Sequence, residues 1–515
     1  MIPFTITEDI RSTIIDYLTT TFNFQEKEVE RAFVDFIEQK EGGLFKGPYI
    51  NLRLPFRKAP EDREIPLEIK PSFRPYVHQT QAFDRLSVRG DHQPEATIVT
   101  TGTGSGKTEC FLYPVLDYCH THRRESGIKA IILYPMNALA SDQAARLAKM
   151  IWDDERLKGQ VSAGIYIGGG QRSANLGGKS MGETNLIENH ETLRNNPPDI
   201  LLTNYKMLDF LLLRPEDRRL WEDNNPETLR FLVLDELHTY DGAQGSDVAC
   251  LIRRLKARLK SPEEYICPVG TSATVASDQG DSANLLTDFA SEIFGSTVTA
   301  DAVIGENRLT ISEFLTEAAE NLDIPQNIAA LEEIPGENLT QYVQRQMQSW
   351  FGQIYDPYEL AQALGKHVFL RSLLNICENQ VLSVDQLLQS LQTWDEDFAE
   401  KLPQDQILIL QSFFALISYA KVLEGEMTRP YLTAQVQLWV REMRRLMREV
   451  SATPKYFWRD DIPLNSEQRG LPPYFCRECG HSGWLAFMRD GDEHLSDNYT
   501  DIYRAYFERH KNIRY

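Results

Sequence analysis

The chain has no run of about 18 uninterrupted apolar residues, the length a membrane-spanning helix needs, and its first residues, MIPFTITEDI, have no basic leader followed by an apolar core. These absences predict a soluble, cytoplasmic protein with no membrane partner. Positive charge is scarce: 54 Lys and Arg stand against 75 Asp and Glu, a formal net charge of -21. Non-specific coating of nucleic acid depends on many cations neutralising phosphates, so that function class is set aside, while a local basic groove is not. Cysteine is sparse, with 7 in the chain. Cys110, Cys119, Cys250, Cys267 and Cys377 stand singly inside apolar or helical patterns, as buried thiols in a reducing compartment do. Fixed-period repeats and low-complexity tracts are also missing, which excludes repeat architectures.

What remains is a globular composition over 515 residues, enough for roughly two to four folded units. Residues 1–70 give two amphipathic helical patterns and then an extended, turn-rich LFKGPYINLRLPFRKAPED, an N-terminal accessory region. From residue 71 to 310, short apolar runs alternate with helix-length segments: ATIVTT, AIILYP, AGIYIG, DILLTN, FLVLDE and YICPVGTSA. Near-continuous apolar strands between helices are what a parallel sheet covered on both faces requires. The expected fold is therefore α/β, a RecA-like P-loop parallel-sheet domain. DFASEIFG and the extended VIGENRLTI are expected to pack back onto that sheet. Over 311–455 the strands vanish and helical periodicity dominates, predicting a helical insert domain. The segment 456–515 is rich in Pro, Gly and aromatics and carries a short half zinc-ribbon-like CRECGH. Two basic runs, Arg253, Arg254, Lys256, Arg258, Lys260 and Arg441, Arg444, Arg445, Arg448, read either as solvated helix faces or as local nucleic-acid contacts.

The string TGTGSGKT follows an apolar strand and precedes a helix, the setting that makes a glycine-rich string a phosphate loop. Thr103, Gly104, Ser105, Gly106, Lys107 and Thr108 are the expected nucleotide-binding set: backbone N–H groups face the phosphates, Lys107 reaches the β and γ phosphates, and the Thr108 hydroxyl ligates magnesium. Thr101 stands where the usual pattern has its first glycine. FLVLDELH is a buried strand ending in Asp235 and Glu236, followed by His238. One carboxylate can hold magnesium and the next can polarise an attacking water. TSAT closes a further strand with the small hydroxyl residues Thr271, Ser272 and Thr274. All three strings end strands and so belong to the ligand-binding edge of one sheet.

TGTGSGKT, DELH and TSAT resemble motifs I, II and III of superfamily 2 DEAD/DEAH-box helicases, and FRPYVHQTQAF resembles their adenine-reading Q motif. The resemblance implies ATP and magnesium as cofactors, with Lys107, Asp235, Glu236 and His238 as the catalytic group. It also implies Gln79 at the adenine edge, with Arg74, Tyr76 or His78 packed around the base, and Ser272 and Thr274 coupling hydrolysis to movement. LYPMNALASDQ and PPDILLTNYKMLDF resemble the loops that touch the nucleic-acid backbone, making Pro135, Asn137, Thr203 and Asn204 the implied contacts. Asn204 reads equally as a cap of the helix beginning at Tyr205. The longer DELHTYDGAQGSDVACLIRRLKARL resembles the branch containing Lhr-like and mitomycin-repair helicases and the large helicases of the bacterial DISARM and Druantia antiphage systems. DNA is therefore expected ahead of RNA as the nucleic-acid partner.

Two features depart from that family. Nothing after residue 280 resembles the second motor lobe, and no Q-x-x-G-R-x-x-R string supplies its arginine fingers. The expectation is an N-terminal portion that works with a second polypeptide or further C-terminal sequence carrying the second lobe, and that is weak or inactive alone. Cys476 and Cys479, with His481, supply part of a zinc site, but a second C-x-x-C is missing, so a pair of free thiols is the other reading. A module that binds ATP and a partner protein without motor activity is the alternative function.

Overall fold

The computed structural model describes residues 3–514 except 41, 91, 103, 169–177, 274–279, 319–322, 379, 425–426, 463–468, 492 and 497. The chain divides into two compact units, residues 56–308 and the combination of 1–55 with 309–515. The four consecutive segments read from the sequence therefore differ from the compact units. The reason is a long-range strand pair: β1 (Phe45–Arg53) runs antiparallel to the strand Thr433–Val440 from Phe45 beside Val440 to Arg53 beside Thr433.

In the 56–308 unit, seven strands lie in one sheet: β2 (Thr97–Thr100), β3 (Ala130–Leu133), β4 (Ala163–Tyr166), β5 (Ile200–Thr203), β6 (Phe231–Leu234), β7 (Cys267–Ser272) and β8 (Val303–Gly305). Their order is β4-β5-β3-β6-β7-β2-β8 and every pairing is parallel. The apolar runs read from the sequence are these strands. Alternate residues feed two cores: Ile131, Leu133, Leu232 and Leu234 on one face, Ala130, Ile132, Phe231 and Val233 on the other. Both faces are covered, which is why the strands are apolar throughout rather than alternating. This is a RecA-like α/β unit, and the parallel register brings the C-terminal ends of β2, β3, β5, β6, β7 and β8 to one edge.

In the other unit, helices α1 (Pro3–Thr21) and α2 (Lys27–Ile37) precede β1, and helices between Leu339 and Tyr419 bury Phe369, Leu373, Leu410, Phe413 and Phe414. The helical periodicity expected to dominate 311–455 holds as far as Tyr419, after which strands follow. Lys421–Glu424 pairs with Met427–Pro430, Thr433–Val440 pairs with β1, and Leu446–Glu449 pairs with Tyr456–Trp458. Arg441 thus follows the strand ending at Val440, Arg444 and Arg445 lie on a short 3-10 turn and Arg448 on the next strand, none of them on a helix face. Among the described residues no helix is long and apolar enough to cross a membrane.

Candidate functional site

Helix α3 (Val77–Leu86) precedes strand β2, which delivers the chain to the glycine-rich loop, and helix α4 (Lys107–Thr121) leaves it. Gly106 is the N-cap of α4 with φ 75°, a left-handed conformation that favours glycine. Among the described residues no side chain caps α4, so there the first N–H groups of this 15-residue helix have no side-chain acceptor, the condition under which a helix N-terminus holds an anion. Lys107 and Thr108 occupy that first turn. The Thr101 and Ser105 hydroxyls bond each other at 2.6 Å. Thr103 lies outside the described residues.

The loop is held at both ends by one chain of contacts. The N–H of Gly102 donates to Glu306 Oε1 at 2.5 Å, and Arg308 Nε donates to Glu306 Oε2 at 2.6 Å. The Arg308 guanidinium sits 3.8 Å from the Phe56 ring centroid. Phe56 meets the rings of Tyr76 at 5.3 Å and His78 at 5.4 Å, and His78 Nε2 donates to the Ser105 carbonyl at 2.8 Å. Burial lowers the His78 pKa, favouring neutral imidazole, and its Nδ1 has no hydrogen-bond partner among the described residues. Gln79 is buried beneath the loop: its Nε2 donates to the Gly106 carbonyl at 3.2 Å and its Oε1 accepts from the Tyr76 N–H at 2.9 Å. An adenine edge would have to displace those bonds. Arg74 turns instead to the Ala59 carbonyl and Glu61.

Across the same edge, β6 ends in Asp235 and Glu236. The β6–β7 register sets Leu234 beside Gly270, which places Asp235 next to Thr271. The Thr271 hydroxyl donates to Asp235 Oδ1 and accepts from the Glu236 N–H at 3.1 Å. Asp235 is buried; burial first, then the neighbouring Glu236 charge, raises its pKa. Glu236 has φ 52°, a left-handed conformation that costs a non-glycine residue about 1–2 kcal/mol. Its carboxylate lies 3.7 Å from Lys107 Nζ and 3.5 Å from His238 Nδ1, and its Oε2 has no hydrogen-bond partner among the described residues. His238 Nδ1 also lies 3.2 Å from Ser272 Oγ. Lys107, Asp235, Glu236, His238 and Ser272 therefore meet around one point, while Thr274 lies outside the described residues. An ammonium, an uncapped helix N-terminus, a helical threonine and two acids at one sheet edge fit a magnesium nucleotide chemically. Sequence reasoning missed Glu306 here and gave Thr271 no partner. Thr271 stood inside TSAT, but its place opposite Asp235 follows only from the strand register.

A second cluster lies at the ends of β3 and β5. Asn204 caps the helix Tyr205–Leu213, its Oδ1 accepting from the Met207 N–H at 2.8 Å, and its Nδ2 donates to Asn137 Oδ1 at 2.6 Å. Asn137 is exposed at the start of α5 (Asn137–Asp153), and Pro135 is half-buried just before it. Thr203 differs: it is fully buried and its hydroxyl donates to the Tyr166 carbonyl at 2.5 Å. In the basic run on the helix Gly242–Leu259, Arg254 pairs with Asp209 at 2.6 Å and Lys256 donates to the Phe294 carbonyl at 2.8 Å, both within this unit.

In the other unit, Cys476 and Cys479 sit in the turn between strands Pro473–Phe475 and Ser482–Trp484. The Cys476 N–H donates to the His481 carbonyl at 3.0 Å, and the Gly480 N–H returns to the Cys476 carbonyl at 2.9 Å. The backbone N–H groups of Cys479 and Glu478 hold the Cys476 thiol below its ordinary pKa. Among the described residues no group of three or more His, Cys, Asp or Glu is placed to hold a metal ion, so a four-ligand zinc site is not assembled there. Cys110, Cys119, Cys267 and Cys377 are buried free thiols, whereas Cys250, expected to be buried, is exposed on its helix.

Residues 76–282 match the family model for the DEAD/DEAH box helicase. The chain is 31% identical to the Druantia protein DruE of Escherichia coli (strain UMEA 4076-1) over 40% of its own length and 16% of that protein. It is also 31% identical to the ATP-dependent helicase YprA of Bacillus subtilis (strain 168), over 39% of this chain and 23% of YprA. The matches thus take in less than a quarter of either relative. A crystal structure of the helicase MrfA bound to DNA and AMPPNP superposes with TM-score 0.37 and 24% identity, covering 54% of this chain and 34% of that one.

Proposed function

We propose that the DEAD/DEAH box helicase domain of this chain, residues 76–282, serves with its flanking strand β8 as the ATP-binding lobe of a DNA helicase or translocase. The observation that carries this reading is the Glu236 carboxylate, facing Lys107 Nζ across 3.7 Å beside a helix N-terminus, where among the described residues no hydrogen bond reaches Oε2 and no side chain caps the helix. Lys107 meets the β and γ phosphates, and the N–H groups of the loop cradle them. Thr108 and Asp235 hold magnesium, which supplies charge neutralisation at the phosphates. Glu236 accepts a proton from the attacking water, and His238 with Ser272 links that carboxylate to β7. Asn137 and Asn204, with Pro135, meet the sugar-phosphate backbone, while Thr203 supports them from beneath. The Druantia-type resemblance and the 31% identity to DruE support a role in antiphage defence.

A second RecA-like lobe, on another polypeptide or on further sequence, completes hydrolysis in this proposal. Two nearby arginines are engaged elsewhere and are not assigned as fingers: Arg308 pairs with Glu306, which holds the loop, and Arg146 with Glu109 in the first turn of α4. A finger from a second lobe contributes on the order of 10³ to 10⁵ in turnover. The test is a titration of residues 1–515 with a fluorescent ATP analogue, followed by hydrolysis with and without single-stranded DNA or RNA. Expected are magnesium-dependent ATP binding, loss of affinity by roughly 10- to 100-fold in Lys107→Ala, and hydrolysis that rises when a second lobe is added. Equal ATP affinity in wild type and Lys107→Ala removes the nucleotide-site assignment. Robust strand separation by the chain alone removes the need for a second lobe.

A further inference from the structure

The unit formed by residues 1–55 and 309–515 contains a cavity of about 220 Å³ that the motor chemistry leaves unexplained. Aromatic rings line most of it, Phe22, Phe24, Phe33, Tyr456, Phe475 and Tyr503 among them. Phe475 meets Phe22 and Phe24 edge to face, at 5.4 Å and 5.2 Å. The volume falls below the roughly 300–1,000 Å³ of sites for drug-sized ligands, so the space suits one small flat group.

Polar atoms narrow the choice. Tyr456 is only 8% exposed, yet its hydroxyl has no hydrogen-bond partner among the described residues. A buried hydroxyl left without a partner is unfavourable, and a guest carrying a ring acceptor or donor would satisfy it. Arg444 also lines the cavity, with 64% of its side chain exposed and its nearest acid, Glu442, 3.8 Å away. Arg445 beside it is 45% exposed and lies 3.6 Å from Asp460. Exposed ion pairs this long contribute little, so both guanidiniums can turn to another anion. A cationic guest would meet that positive charge unfavourably, and a purely aliphatic one would leave the Tyr456 hydroxyl unsatisfied. A nucleobase offers flat faces for the rings, an edge for the hydroxyl, and an attached phosphate for Arg444 and Arg445. Aromatic rings interleaved with arginines are the usual construction of a single-strand site.

We propose that this cavity receives one unstacked nucleobase of a single strand, with the adjoining phosphates against Arg444 and Arg445. The occupant's identity rests on the nucleic-acid reading above, which assigns the RecA-like unit contacts to sugar and phosphate alone. Base-dependent affinity therefore reports this cavity. Residues 1–515 are titrated with a labelled oligothymidylate of about 12 nucleotides, inside the range of known single-strand site sizes, and with an abasic phosphodiester strand of equal length. Wild type should prefer the base-bearing strand by roughly tenfold, the scale of one base stacking on aromatic side chains. Tyr503→Leu, which removes a ring, and Tyr456→Phe, which removes only the unpartnered hydroxyl and so preserves packing, should both reduce that preference and leave abasic affinity unchanged. Arg444→Gln should weaken both strands alike. Retention of the full preference in Tyr503→Leu and Tyr456→Phe overturns the proposal, as does equal affinity of wild type for the two strands. Binding of N-acetyltryptophanamide that Tyr503→Leu abolishes while both strands bind as before makes the cavity a protein-docking site, also overturning it. Failure to bind either strand overturns the nucleic-acid reading itself.

Discussion

The backbone N–H of Gly102 donates to Glu306 Oε1 across 2.5 Å, so the phosphate loop is anchored to the end of β8 as well as to β2. Glu306 is in turn fixed by Arg308, whose guanidinium stacks on Phe56 and so connects to His78 and the far end of the loop. Glu306→Ala removes both the acceptor and the ion pair. A hydrogen bond to a charged group contributes about 1.5–3 kcal/mol, so ATP affinity should fall roughly tenfold. Glu306→Gln keeps an acceptor for Gly102 and should lose less. A titration in which Glu306→Ala binds ATP like wild type would show that the loop holds its shape unaided.

Asp235 gives a prediction in pH. Burial and the neighbouring Glu236 charge raise its carboxyl above 3.8, so the folded chain favours the protonated form. That contribution to stability is full below 3.8 and is lost as pH rises through the raised folded value. Asp235→Asn has no charge to bury, and its side-chain oxygen still accepts from Thr271. Without magnesium it should melt about 2 °C above wild type near neutral pH, and the difference should shrink as pH falls toward the carboxylate range. Magnesium nucleotide should stabilise wild type far more than the variant. Melting curves by circular dichroism decide it; a variant that melts lower than wild type at neutral pH refutes the buried-charge account.

The sheet was legible because a parallel strand buried on both faces writes itself as an unbroken apolar run, as in FLVL and AIIL. The strands after Tyr419 were not. Arg441, Arg444, Arg445 and Arg448 fall at i, i+3, i+4 and i+7, a helical spacing, while the backbone there is a turn between strands. Thr433–Val440 does alternate, with Ala434, Val436 and Leu438 every second residue, but its partner β1 lies hundreds of residues earlier. Local pattern carries no information about such a pairing. The same limit hid Thr271 and Glu306, whose neighbours Asp235 and Gly102 are set by strand order rather than by proximity in sequence.

Asn204 serves two partners that mutation can separate. Asn204→Ala removes the cap of the helix Tyr205–Leu213 and should cost about 1 kcal/mol of stability. Asn204→Asp retains an acceptor for Met207 but cannot donate to Asn137, and it places negative charge where phosphate is proposed to lie. It should keep wild-type stability and bind single strands several-fold more weakly, about 1 kcal/mol in affinity. Asn137→Ala, which leaves the cap untouched, should reproduce the binding loss. Strand affinity unchanged in both Asn204→Asp and Asn137→Ala would remove this pair from the nucleic-acid face.

Thr271 should prove to be the positioning residue for both acids. Its hydroxyl donates to Asp235 Oδ1 and accepts from the Glu236 N–H at 3.1 Å, so one buried side chain sets the proposed magnesium ligand and the left-handed turn that presents the proposed base. Thr271→Val preserves shape but leaves an acceptor and a donor without partners, an expected cost of about 1–3 kcal/mol in stability. Lys107 and the N-terminus of α4 are untouched, so ATP affinity without magnesium should stay within about twofold of wild type, a difference below 1 kcal/mol. The tightening that magnesium brings should fall by roughly tenfold, because Asp235 is no longer held in one orientation. Thr271→Ser, which retains the hydroxyl, should restore most of it. A purely structural residue would lower the melting temperature and leave the magnesium dependence intact, so that outcome in Thr271→Val assigns the orientation of Asp235 to the backbone of β6 alone.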